Sequence, residues 1–132
     1  MHTREDIESY LMRSGLPHQE VGKDGDAMWL LEGRASGERI VVRLDGPLVL
    51  FRVKVLELST VAEEPALYAQ LLQWNAEDMV HGAYGVSDGN VVLTCTLRIE
   101  HLDYSEFQGT LDDFSLALTN HYETLARFRS QA

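Results

Sequence analysis

Cysteine is almost missing from this chain, with Cys95 the only one. A single thiol excludes an internal disulfide and any cysteine-rich zinc site. Proline occurs 3 times and glycine 10 times in 132 residues, too sparsely for a long linker. Apolar runs are only a few residues long, far short of the ~20 that a membrane-spanning helix needs. The opening Met1-His2-Thr3-Arg4-Glu5-Asp6 holds no apolar signal segment. Cations are also scarce: 11 Lys and Arg stand against 21 Asp and Glu, a net charge of −10. A chain so acidic repels phosphate backbones, which disfavours nonspecific binding to nucleic acid or to an anionic membrane. The expectation is one cytoplasmic domain over residues 1–132, with a core that forms without disulfide or metal.

Local patterns predict the elements. Thr3 with Asp6 three residues on reads as a capping box, and Ile7, Tyr10 and Leu11 give a helical stripe over 4–14 that Gly15 ends. Residues 27–32 read as a strand. In 38–44, Ile40, Val42 and Leu44 alternate with Arg39, Val41 and Arg43, and Asp45-Gly46-Pro47 marks a hairpin turn. In 48–56, Val49, Phe51, Val53 and Val55 share one face; Leu50, Arg52 and Lys54 take the other. Glu63-Glu64-Pro65 opens a helix over 64–79 with a wide apolar face of Leu67, Tyr68, Leu71, Leu72, Trp74 and Met79. Segments 83–86 and 90–100 form a hairpin closed by Asp88-Gly89, with Val91, Leu93, Cys95, Leu97 and Ile99 inward. Thr110, with Asp113 three residues on, caps a last helix after a brief turn near Ser105–Gln108. The class is α+β: an antiparallel sheet of about five strands with three main helices, in the order α-β-β-β-α-β-β-α.

Catalytic and metal-binding patterns are thin. Gly82-Ala83-Tyr84-Gly85 is followed by no Lys-Ser/Thr, so it reads as relief of crowding and not as a phosphate loop. The histidines at 2, 18, 81, 101 and 121 show no metal-ligand spacing. Cys95 falls on the inward parity of a strand, where a thiol is inert. Glu63-Glu64 and Asp112-Asp113 sit at helix starts, where the helix dipole accounts for acidic residues. No catalytic residue, cofactor or metal is expected.

Two surfaces invite a partner. Arg39, Arg43, Arg52 and Lys54 share one side of two adjacent strands, either as a solvated face or as a docking face for an acidic segment. Leu67, Leu71 and Trp74 are candidates for a partner or dimer contact, because aromatics are enriched at interfaces.

A set of structural positions carries a resemblance. Leu71-Leu72-Gln73-Trp74-Asn75, Gly82-Ala83-Tyr84-Gly85-Val86, Asp88-Gly89-Asn90-Val91, Leu97 and Leu102-Asp103 together resemble the YbjN family over residues 60–128. That family is similar in fold to type III secretion chaperones. The resemblance implies a small, acidic, bacterial protein, often dimeric, that binds other proteins. The expected function is therefore a non-catalytic chaperone-like or adaptor domain. It would be a homodimer binding a client peptide on the sheet or at a strand edge, with no nucleic acid and no membrane. The alternative is a small-molecule sensor with a pocket between sheet and helices.

Overall fold

In the computed structural model, which describes residues 3–23, 25–34 and 37–129, helix α1 runs over Arg4–Ser14. The Asp6 carboxylate accepts from the Thr3 N–H at 2.6 Å, and Gly15 ends the helix with φ +71°. Six strands follow: β1 (His18–Glu20), β2 (Ala27–Glu32), β3 (Arg39–Asp45), β4 (Leu48–Glu57), β5 (Ala83–Ser87) and β6 (Asn90–Arg98). Helix α2 (Glu64–Glu77) joins β4 to β5, and α3 (Tyr104–Phe128) closes the chain. The order across the sheet is β1-β2-β3-β4-β6-β5, antiparallel throughout. The chain thus crosses over α2 to the far edge at β5, and β6 returns into the gap beside β4.

Alternation sorts the two faces. Trp29, Leu31, Ile40, Val42, Val49, Phe51, Val53, Val91 and Leu93 point to one side and are buried. There they meet Ile7 and Leu11 of α1, Leu67 and Leu71 of α2, and Phe107, Leu111 and Phe114 of α3 in one core. Phe51 touches Phe107 at 5.6 Å and Phe114 edge-on at 6.5 Å, between ring centroids. All three helices cover this face, which leaves the other face of the sheet open.

Three expectations change. The sheet has six strands: β1 carries only His-Gln-Glu, exposed at the edge, so it has no apolar alternation to betray it. In β4 the register shifts between Lys54 and Leu56, so Val55 is the extra residue of a bulge and Leu56 takes the buried place. The last helix begins six residues before Thr110: Asp103 caps it by accepting from the Glu106 N–H at 2.8 Å, and Ser105–Gln108 belongs to its first turns. Thr110 lies buried within the helix, where its hydroxyl donates to the Glu106 carbonyl at 2.8 Å.

Candidate functional site

The open face of the sheet is built by strand parity. One row across it reads Gln19, Leu30, Val41, Arg52, Thr94, Ala83; the next reads Met28, Arg43, Leu50, Thr96. Met28, Leu30, Val41 and Leu50 are half-buried, and no helix lies over them. Arg39, Arg43, Arg52 and Lys54 all point outward on this face and are exposed. Arg98 joins them, facing Leu48 across the β4–β6 pair; strand parity turns it outward, but only the β4–β6 pairing brings it to this face. The register keeps Arg43 and Arg52 off direct opposition. Arg43 faces Leu50 and Arg52 faces Val41, so these four form a checkerboard in which the two arginines avoid like-charge pairing.

Internal compensation is partial. Arg43 pairs with Asp45 at 2.8 Å and Lys54 with Glu57 at 2.7 Å. The Lys54 ammonium, by its hydrogen bond, holds the Glu57 carboxyl below the usual carboxylate range. Arg39, Arg52 and Arg98 make no ion pair among the described residues, although Glu32 stands opposite Arg39 in the register. In a chain of net charge −10, this face is locally cationic with an aliphatic centre.

The expected contact of Leu67, Leu71 and Trp74 is corrected by their burial. They are 0%, 4% and 8% exposed and belong to the protein's own core. The apolar arc of α2 is wide because Leu72, at 68% exposure, lies on the outside of the same helix. Asn75 lies in the last turn of α2. Its amide donates to the Tyr84 carbonyl at 3.0 Å, and its Oδ1 accepts from the Tyr84 N–H at 2.7 Å. This clamps α2 onto β5 and occupies the strand's edge groups at that point.

The helix side holds the titratable clusters. His121 is buried, and Trp74 lies flat on its ring with centroids 3.7 Å apart and planes 2° apart. The Asp78 carboxylate accepts from His121 Nε2–H at 3.0 Å, which leaves Nδ1 to accept from the Tyr84 hydroxyl at 2.7 Å. This Asp-His-Tyr line was invisible in the sequence because its members lie 37 and 43 residues apart. Burial pushes the Tyr84 hydroxyl far above the ordinary tyrosine range, which makes it a hydrogen-bond donor and not a nucleophile. Nearby, His81 meets Asp113 and Glu106 of α3, and its hydrogen bond to Asp113 raises its pKa. Cys95 is buried and its thiol is pushed up by burial, then by Glu106 and Asp113. Among the described residues, no group of three His, Cys, Asp or Glu is placed to hold a metal ion.

With this geometry in view, the family is decided by a match along nearly the whole sequence: the CesT_Tir_1 family profile covers residues 1–131. The chain belongs to the CesT_Tir_1 family, the type III chaperone family. No protein of curated function matches it. Among solved structures it is similar to YbjN from E. coli, with 16% identity over 95% of this chain and 97% of that one, and a TM-score of 0.65. It is likewise similar to a chain of the ExsC–ExsE complex, with 19% identity over 91% and 96% and a TM-score of 0.61. The α+β chaperone-like fold is thus shared, as the Leu-Leu-x-x-Asn and Asp-Gly positions implied. Among the described residues, no helix is long and apolar enough to cross a membrane.

Proposed function

We propose that this chain is a non-catalytic, cytoplasmic protein-binding domain, chaperone-like or adaptor, that holds a partner protein on the open face of its sheet. The observation that carries this reading is the face itself: five outward cations, three of them without an ion pair among the described residues, around the half-buried Met28, Leu30, Val41 and Leu50. A face kept only for solubility has no use for Met28, Leu30, Val41 and Leu50 between its charges. Membership of a chaperone family supports the reading, as does the likeness to a chain crystallised in complex with another protein. The sensor alternative needs a pocket between sheet and helices; there Phe51, Phe107 and Phe114 pack together, and the cleft that remains, between Val55 of β4 and Leu118, Tyr122 and Leu125 of α3, is ≈ 160 Å³, small for a ligand site. A cleft of ≈ 400 Å³ lies instead beside the end of α2 and α3, lined by Glu77, Asp78 and Asp113 among others.

The test is R43E together with R52E. Exposed charges contribute only ~0–1 kcal/mol each to stability, so the fold should survive. Capture of partner protein from the native host should fall, and its salt dependence should flatten. Unchanged capture by a folded double variant would refute the reading. We also propose a homodimer, as the resemblance implies, meeting on a surface other than the buried Leu67, Leu71 and Trp74; light scattering at micromolar protein should give twice the chain mass.

A further inference from the structure

Resting on that reading and sharpening it, we infer that the element seated on the open face is an acidic amphipathic helix of the partner and not an extended strand. The argument starts from hydrogen bonds. β3 is paired on both sides, by β2 and β4, and β4 by β3 and β6. Their backbone donors and acceptors are therefore used up. A segment lying over Val41 and Leu50 meets side chains and no free backbone. An extended segment pressed there would desolvate its own N–H and C=O groups with nothing to pair them, at about 1–3 kcal/mol for each group left unsatisfied. A helix satisfies its backbone internally, apart from its ends.

The edges offer strand addition little room. β1 has three residues. On β5 the Asn75 side chain already takes both backbone groups of Tyr84. The cations, moreover, lie on the central strands β3 and β4 and on β6, away from either edge.

Size and charge fit the same occupant. Neighbouring strands are about 4.8 Å apart, so β2, β3 and β4 together span roughly the 10–12 Å diameter of one helix. The aliphatic patch of Met28, Leu30, Val41 and Leu50 would receive apolar residues at i, i+3, i+4 and i+7 of that helix. Arg39, Arg43, Arg52, Lys54 and Arg98 would face carboxylates along its flanks. A second copy of this chain is a poor occupant, because a two-fold pairing through this face would set like cations against each other. Single-stranded nucleic acid is poor too, because the patch offers no aromatic ring for bases to stack on.

The experiment uses the full chain and three fluorescein-labelled peptides of about 18 residues: a Leu- and Glu-rich amphipathic helix, a scramble of the same composition, and a version with Lys for Glu. Anisotropy reads affinity, and circular dichroism of the mixture reads peptide helicity. The amphipathic acidic peptide should bind about tenfold or more tighter than the other two, gain helicity on binding, and weaken about tenfold or more with R43E/R52E and with L50D. L116D, on the helix side, should leave binding unchanged. If the scramble binds equally well without gaining helicity and R43E/R52E abolishes it, the helix is overturned while face binding stands. If no peptide binds, if phosphatidylserine vesicles or an oligo-dT strand bind tighter than the peptide, or if R43E/R52E only dissolves a dimer, the inference is overturned. Survival of native partner capture in R43E/R52E would instead overturn the underlying reading.

Discussion

Removing the Tyr84 hydroxyl tests the buried line from Asp78 through His121 to Tyr84. In Y84F the ring keeps its place beside Trp74, at a centroid distance of 5.6 Å, so packing is conserved. His121 then has one buried nitrogen without a partner. If its proton stays on Nε2 for Asp78, Nδ1 is an orphaned acceptor. If the proton moves to Nδ1, Nε2 turns a lone pair toward the carboxylate. Either arrangement costs about 1–3 kcal/mol. H121F keeps an aromatic face on Trp74 but strands the Tyr84 hydroxyl, at a similar ~1–3 kcal/mol. The double variant Y84F/H121F leaves neither orphan, and Asp78, nearly half exposed, turns to water. It should therefore be more stable than the sum of the two losses implies, with a coupling of about 1–3 kcal/mol. Urea unfolding followed by circular dichroism gives the four free energies, provided the slopes agree. Strict additivity, within about 0.5 kcal/mol, would refute the hydrogen-bonded line and reduce the cluster to aromatic packing.

Gly82 has φ +82°, and a Cβ there would stand 2.4 Å from the Thr94 carbonyl oxygen and 3.0 Å from the Phe114 ring, so G82A should lose ~2 kcal/mol or more in urea unfolding. G85A meets nothing within 4 Å and should be neutral or better in the same assay. His81 is raised in the folded protein, so its contribution is complete below its unfolded value near 6.5 and is lost as pH climbs through the raised value. Thermal stability measured from about pH 6 to 9 should thus decline more steeply in wild type than in H81Q, and parallel curves would remove the His81–Asp113 contact from the account. The Cys95 thiol should react slowly with a disulfide reagent until the protein is denatured, and rapid labelling of the native state would contradict its burial.

Much of the fold was legible because alternation leaves a signal at every second residue. Ile40, Val42, Val49, Phe51 and Val53 announced both their strands and their face, and the same parity delivered Arg39, Arg43, Arg52 and Lys54 to the opposite side. The turns were legible where backbone chemistry forces the residue: Asp88 and Gly89 both adopt positive φ between the paired Ser87 and Asn90. β1 escaped because an exposed edge strand needs no apolar residue. The start of α3 escaped because Thr110 with Asp113 three residues on has the spacing of a cap, although both lie inside the helix. The bulge at Val55 escaped because one inserted residue leaves local propensity unchanged and alters only the parity beyond it. Periodicity finds the apolar arc of α2 but does not say which side meets the core, and so it allows a partner or dimer contact at Leu67, Leu71 and Trp74, which are buried. The checkerboard of Arg43, Leu50, Val41 and Arg52 depends on register between strands, which residue patterns alone do not carry.

Crosslinking from either side of the sheet tells whether its open face or the helix side holds the partner. A photo-crosslinking amino acid in place of Leu50 reports on that face, and one in place of Leu116, 59% exposed on α3, reports on the other side. Each would be expressed in the native host and irradiated, and adducts compared with and without R43E/R52E. A discrete protein adduct from position 50 that disappears in the charge-reversed background, with none from position 116, is the predicted result. An adduct from position 116 with none from position 50 would contradict the account.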